Sequence, residues 1–528
     1  MEGMASPIPA ASVSESSVVV GDRPLTIAEV VAVARHGARV TVSAAALERI
    51  AATRAVIDAL ADDTEPHYGV STGFGALATR HIPVDMRRQL QRGLIRSHAA
   101  GSGPEIEAEV VRALMLLRIA TLATGRTGVR PVTVTTYVAM LNAGITPVVH
   151  EFGSLGCSGD LAPLAHCALA LIGEGPVRVG GGEVVDSASA MGQAGISPIE
   201  LHEKEGLALI NGTDGMLGML CLAITDLHTL VTTADITAAM SVEGLLGTDD
   251  VFAADLHALR PQPGQSLSAA NMRAVLAGSP IRASHDTEDC PRVQDAYSLR
   301  CAPQVAGGLR DTLEHAERIA GFELASAVDN PVVTLDGRVE SNGNFHGAPV
   351  AYVLDFLAIP VADLASMAER RTDRFLDKAR NHGLAPFLAD DPGVDSGLMI
   401  AQYTQAGLVS ELKRLAVPAS VDSIPSSAMQ EDHVSMGWSA ARKLRRSVDA
   451  LAHVLAIELV TAARGIQLRA PLEPAPATGA VLVALDAAGV DTTPGPDRFL
   501  APSLHAAYEA VLAGVPVAAA QSATGALH

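Results

Sequence analysis

The sequence predicts a mainly α-helical chain with a loop-rich N-terminal part and a few short strands, and three observations carry that prediction. Aromatic residues make up only 3% of the 528 positions while apolar residues reach 48%, so the core must be built largely from Ala, Val and Leu, which pack helices closely. Leu444, Val448, Leu451, Leu455 and Leu459 recur at steps of four, three, four and four, which lines up one buried stripe on a long helix. Glycine clusters at 69–75, 101–103, 153–159 and 180–182 punctuate the N-terminal part and mark it as loop-rich.

Taken in order, residues 1–21 are expected as a disordered tail, 22–215 as an N-terminal domain, and 216–528 as a helical bundle with a C-terminal helical cap. After the 153–159 loop, Asp160 is placed to cap a helix that has Pro163 in its first turn. Residues 332–335 and 338–340 flank Asp336-Gly337, a pair that supplies the positive φ of a tight hairpin turn. A second long helix is expected over 347–380, with Val350, Val353, Leu354, Leu357, Val361 and Leu364 on its apolar side and Pro360 as a kink. Ser427 followed three residues later by Gln430 has the spacing of a capping box, which starts the bundle helix near 430–433.

Charge and cysteine usage exclude several classes of function. With 38 Lys+Arg against 58 Asp+Glu the net charge is −20, which argues against a nucleic-acid partner, since such affinity comes from clustered cations. Charged residues are only 18%, below the roughly 25% of ordinary soluble domains, so one subunit has more apolar surface than it needs to hide. No uncharged apolar run reaches the ~18 residues of a membrane span, the stretch 215–225 being closed by Asp226, and an oligomer is the expectation. Residues 1–17 lack the basic start and apolar stretch of a secretory signal. Cys157, Cys167, Cys221, Cys290 and Cys301 are odd in number, with no CxxC pair, so neither a disulfide framework nor a metal site is expected and the compartment reads as reducing, hence cytoplasmic.

Common catalytic templates fail on spacing. Residues 73–78 fit the permissive GxGxxA fingerprint, but Gly69, Ser71 and Thr72 stand where a buried strand should lead in. Asp160 replaces the last glycine of a GxSxG elbow, Gly206 stands where HExxH needs histidine, and no GxxxxGK[ST] loop occurs. The triplet Cys157-Ser158-Gly159 is different. A glycine nitrogen, unhindered by a side chain, can attack the carbonyl carbon two residues back and close a five-membered ring with loss of one water, and loss of a second water from the serine then leaves an electrophilic exocyclic methylidene.

That loop is one of an ordered series: Tyr68-Gly69-Val70-Ser71-Thr72-Gly73-Phe74-Gly75, Ser97-His98-Ala99-Ala100-Gly101, the 153–164 loop, Lys204-Glu205-Gly206-Leu207-Ala208-Leu209-Ile210-Asn211-Gly212-Thr213, Gln294-Asp295-Ala296-Tyr297-Ser298-Leu299-Arg300, Gly343-Asn344-Phe345-His346 and Gln430-Glu431-Asp432-His433-Val434-Ser435-Met436. In this series the chain resembles the histidine and aromatic amino-acid ammonia-lyase family over about residues 22–500. The resemblance implies a 4-methylideneimidazol-5-one (MIO) group formed autocatalytically from Cys157, Ser158 and Gly159, with Cys157 standing where alanine is commoner. It implies an elongated fumarase/aspartase-like helical bundle, assembled as a homotetramer with shared active sites, that eliminates ammonia from L-histidine to give trans-urocanate, the first step of histidine degradation.

The resemblance also implies roles. Ser158 supplies the methylidene, Tyr297 is the general base, and Tyr68 assists proton transfer or orientation. Arg300 holds the substrate carboxylate, Asn211 and Gln294 donate hydrogen bonds near ring and carboxylate, and Phe345 packs beside the prosthetic group. His98 and Glu431 hydrogen-bond an imidazole, with Met399 on the apolar side of that pocket, whereas His346 and His433 read as structural. The alternatives are a phenylalanine or tyrosine ammonia-lyase or an aminomutase of the same family, a catalytically silent helical scaffold, and a fumarase-like lyase with no prosthetic group.

Overall fold

The computed structural model describes residues 17–61, 67–73, 75–156, 159–285 and 293–528. Cys157 and Ser158 of the triplet, together with Phe74 and Cys290, lie outside the described residues. Helix dominates, as the composition requires, and the nine short strands among the described residues form four small sheets. The chain divides into two compact units, one made of 1–222, 319–352 and 419–441 and the other of 223–318, 353–418 and 442–528.

The first unit carries all nine strands. β1 (Ser17–Val20) runs parallel to β2 (Arg39–Val42) because Val18 and Val20 alternate inward while Val19 faces out. The segment expected as a tail through residue 21 is therefore ordered strand from Ser17. β3 (Ser102–Glu105), β4 (Ile145–Pro147) and β5 (His150–Phe152) follow, and β3 pairs antiparallel with β5. β4 instead joins β6 (Pro176–Val179) and β7 (Val184–Asp186) in a three-stranded antiparallel sheet. The helix Ala108–Ala123 is apolar on all sides and has 12 of its 16 residues buried, as a helix of that pattern must.

The expected hairpin forms, with a longer loop than Asp-Gly alone suggests. β8 (Val332–Val333) and β9 (Val339–Glu340) are extended by the Thr334 N–H donating to the Arg338 carbonyl at 2.9 Å. Leu335, Asp336 and Gly337 make a three-residue loop in which Gly337 alone takes positive φ, +82°, so a turn needing it at both central residues is not used. The Asp336 carboxylate is spent on the Arg338 guanidinium at 2.8 Å.

In the second unit the stripe Leu444, Val448, Leu451, Leu455 and Leu459 is buried on the helix Gly437–Gln467. The helix Ala348–Leu376 continues through Pro360 and buries the six apolar residues expected of it. Two buried carboxylates clasp this unit. Glu458 pairs with Arg371 (3.0 Å) and accepts from the hydroxyls of Thr237 and Ser241, both at 2.8 Å. Asp235 pairs with Arg310 (2.6 Å) and accepts from Asn271 (2.9 Å). A buried charge costs several kcal/mol unless its lone pairs are met in this way.

The reading of apolar runs needs a correction. Among the described residues, the helices Asp214–Gly244 and Ala348–Leu376 are long and apolar enough on average to cross a membrane, although charges interrupt each run. Their apolar windows are 78% and 61% buried within the fold.

The capping-box expectation also fails. The helix starts at Gly437, because Ser427, Ala428 and Met429 take left-handed φ of +50°, +52° and +69°. Ser426 closes a 426–431 loop instead, its N–H donating to the Glu431 carbonyl and its hydroxyl to Glu431 Oε2, each at 2.9 Å.

Candidate active site

A cavity of about 750 Å³ opens within the first unit, and its polar wall includes Tyr68, His98, Asn211 and Glu431. Leu90, Leu94, Leu161, Leu207 and Ile210 supply apolar wall, so a flat ring can be buried against carbon while its polar edge finds partners.

Each polar residue is set by local structure. Tyr68 lies in a turn closed by the Val70 and Ser71 N–H groups on the His67 carbonyl, and Gly69 takes φ +77° there because a Cβ would stand 2.8 Å from Leu207 Cδ2. Burial, reinforced by the Glu431 and Asp329 carboxylates, pushes the Tyr68 phenol up, against the pull of the Gly75 N–H that donates to it at 3.4 Å. His98 is the last residue of the helix Arg87–His98, and its Nδ1 sits 2.9 Å from the Leu94 carbonyl. A carbonyl only accepts, so Nδ1 carries the proton and Nε2 is left as an acceptor. Burial pulls His98 down, partly offset by the Leu94 carbonyl and by Glu431.

Asn211 donates one Nδ2 hydrogen to the Asn330 carbonyl at 2.9 Å, which leaves the second N–H and Oδ1, the latter buried and with no hydrogen-bond partner among the described residues. An orphaned buried acceptor costs about 1–3 kcal/mol, and a donor from a bound molecule would meet this one.

The backbone on either side of 157–158 is fixed tightly. Upstream, the Gly156 carbonyl accepts from Ser435 Oγ (2.6 Å) and Gly347 N (3.3 Å), and the Leu155 carbonyl accepts from Met436 N (2.9 Å). Trp438, 2% exposed, donates its indole N–H to the Glu151 carbonyl at 2.7 Å. Downstream, Gly159 bridges Gly212 with φ +85°, so close that a Cβ would stand 1.7 Å from the Gly212 carbonyl oxygen. Only glycine can occupy that position. This cradle fits a group formed from the backbone of the triplet itself.

Asp160 stands at the start of the helix Leu161–Leu171, with Pro163 in the first turn, yet its side chain does not cap that helix. It accepts from Met216 N and Ser154 Oγ, both at 2.9 Å. Burial outweighs these donors and pushes the carboxyl up to about 7. The unfolded chain releases this proton near the ordinary 3.8, whereas the folded chain keeps it up to about 7, so stability falls as pH rises through that window and levels off above it. Asp160→Asn should flatten this slope; urea denaturation from about pH 4 to about pH 8 that runs parallel for variant and wild type would contradict the assignment.

The other expected residues are not gathered here. Phe345 is half-buried and does not line the cavity, and the neighbouring His346 stacks on His433 at 5.5 Å, as expected of structural histidines. Gln294, Tyr297, Arg300 and Met399 belong to the second unit. Gln294 and Tyr297 are exposed there, Arg300 lies over the Tyr297 ring at 4.7 Å, and Met399 begins the helix Met399–Leu415. Two features were missed by sequence reasoning: the Asn330 carbonyl that orients Asn211, and a fully buried ion pair, Lys204 Nζ to Asp329 Oδ2 at 2.6 Å. Nothing in the sequence signals a pairing across 125 positions.

Residues 25–487 match the family described as aromatic amino acid lyase. The chain is 67% identical over 513 residues to a histidine ammonia-lyase of Streptomyces griseus, covering 97% of this chain and 99% of that one. A histidine ammonia-lyase of Streptomyces coelicolor is also 67% identical, over 97% and 100%. Among solved structures, histidine ammonia-lyase from Trypanosoma cruzi superposes with a TM-score of 0.88 at 37% identity, covering 96% of each chain. A tyrosine aminomutase from Streptomyces globisporus superposes with a TM-score of 0.91 at 37% identity, over 97% of this chain and 100% of that one.

Proposed function

Because the chain belongs to the aromatic amino acid lyase family, we propose that it is a carbon–nitrogen lyase that removes ammonia from L-histidine and leaves trans-urocanate, the first step of histidine degradation. The observation that carries this reading is the pairing of His98 and Glu431 in one cavity. Nε2 of His98 and the Glu431 carboxylate are both acceptors, which suits an imidazolium edge with two N–H donors; a tyrosine phenol offers one donor and a phenyl ring none.

When formed from Cys157, Ser158 and Gly159, the MIO group supplies an electrophilic carbon that turns the substrate amine into a better leaving group. Asn211 Oδ1 is positioned to accept from an N–H of the bound substrate. Tyr68, whose phenol is pushed up by burial, is suited to orient the substrate and carry a proton rather than to abstract one. In a site completed by another subunit, Tyr297 would take the β-proton, with the Arg300 guanidinium beside its ring and available to the substrate carboxylate; Gln294 would donate to that carboxylate and Met399 would border the ring, while Phe345 would lie on the side of the MIO group.

Phe356, Ile359, Ile400 and Tyr403 expose about half of their surface or more on two long helices, which supports a homotetramer that shares active sites across subunits. Free Cys167, Cys221 and Cys301 fit a reducing cytoplasm.

Incubation with L-histidine, L-tyrosine and L-phenylalanine, following ammonia and the acrylate product, tests the reading. Urocanate from histidine alone is expected; β-amino acid product would assign an aminomutase, and no turnover a silent scaffold. His98→Leu with Glu431→Gln is expected to lower kcat/KM for L-histidine by about two orders of magnitude, each lost partner being worth roughly tenfold. An unchanged rate would refute the pocket assignment.

A further inference from the structure

Resting on that reading and deepening it, we propose that His166 is a positioning residue for the imidazole pocket: its ring holds the Gly101 backbone and so fixes where His98 stands relative to the helix Leu161–Leu171. The path is short and hydrogen-bonded throughout. His98 ends its helix in a tight inverse turn, Ala99 having φ −75° and ψ 62° with the Ala100 N–H donating to the His98 carbonyl at 2.8 Å. The next residue, Gly101, donates its N–H to His166 Nε2 at 3.1 Å. His166 is on the helix Leu161–Leu171, which begins two residues after Gly159.

The contact is close-fitting. A Cβ on Gly101 would stand 2.9 Å from His166 Nε2 and 3.3 Å from the Phe152 carbonyl oxygen, so ring and backbone pack directly on one another. A second ring completes the arrangement: His150, at the start of β5, meets His166 edge-on at 5.5 Å and 70°, and its Nδ1 lies 3.0 Å from the Gly103 carbonyl. The strand that leaves His98 is thus held at Gly101 and Gly103 by histidines from both flanks of the loop that carries the triplet. Because a backbone N–H only donates, His166 works only as the neutral ring. Burial, and to a lesser extent His150, pull it down to about 4, which keeps it neutral through the ordinary working range. Neither histidine lines the cavity, so neither touches a substrate bound there.

Steady-state kinetics with L-histidine on the full chain test this. His166→Leu removes the acceptor, and His166→Gln restores one at about the reach of Nε2. The Leu variant is expected to raise KM about tenfold with kcat changed less than about threefold, and the Gln variant to stay within about threefold of wild type in both. Gly101→Ala, which displaces the ring while leaving His166 itself in the sequence, should reproduce the Leu result and carries the test if His166→Leu does not fold. In a His98→Leu background, His166→Leu should add nothing to KM, the mark of action through His98 rather than of general loosening. Unchanged KM in both His166→Leu and Gly101→Ala, or an equal KM rise with and without His98, overturns the proposal. A wild type that releases no ammonia from L-histidine fails one level lower, at the reaction itself.

Discussion

Gly159→Ala is expected to give a folded protein that releases ammonia from L-histidine at least about a thousandfold more slowly and lacks the two-water mass deficit expected of the mature wild type. At φ +85° an alanine already carries about 1–2 kcal/mol of backbone strain, but the larger problem is the Gly212 carbonyl 1.7 Å from where the methyl would go. Neither wall yields easily. The Asp160 N–H donates to that same Gly212 carbonyl at 2.6 Å, and the buried Arg118 guanidinium holds the Ala208 and Asn211 carbonyls at 3.0 and 3.1 Å. The loop must therefore move away, taking the glycine nitrogen out of the position from which it closes the ring. Intact mass and thermal melting are read together: a cooperative melt with an uncyclised mass supports the argument, and a variant that shows the two-water deficit from its own sequence mass and the wild-type rate refutes it. Ser158→Ala removes the hydroxyl that would leave as water and should likewise lack the two-water deficit relative to its own sequence mass; full activity there would instead assign a lyase that works without the group.

Lys204→Met is expected to destabilise the protein by about 3–5 kcal/mol in urea denaturation, because it strands a carboxylate that has no access to water. Both partners are fully buried, so burial pushes Asp329 up and Lys204 down, each restrained by the other. The pair also sits under the cavity wall. Asp329 Oδ1 accepts from the Asn330 N–H at 2.7 Å, the Asn330 carbonyl orients Asn211, and a Cβ on Gly69 would lie 3.5 Å from the Lys204 side chain. Replacing both members, Lys204→Met with Asp329→Leu, should recover most of the loss, since the penalty belongs to the unpaired charge. A single variant costing less than about 1 kcal/mol, or a double variant no better than the single, contradicts this account.

What could be read in advance follows from how local the determining forces are. The stripe from Leu444 to Leu459 and the apolar side of the 348–376 helix are periodic, and periodicity states which face is buried without reference to anything else. The motifs that gave Tyr68, His98, Asn211 and Glu431 each fixed a residue type, and one cavity gathers them. The failures share a cause in tertiary competition. Ser427 and Gln430 have the right spacing for a cap, but the Ser426–Glu431 bonds and three left-handed residues claim that stretch for the cavity wall. Asp160 is placed to cap its own helix, but the Met216 N–H, 56 positions away, takes its carboxylate.

The chain contains a single tryptophan, Trp438, and its indole is hydrogen-bonded to Glu151 at the edge of the strand leading into the triplet loop. The protein accordingly comes with a native optical probe at the place where its chemistry is assembled. Ultraviolet-excited emission originates from one buried spot, with no dye to attach and no second indole to subtract, and a change in its colour or lifetime during maturation or turnover reports on that strand and the adjoining helix start.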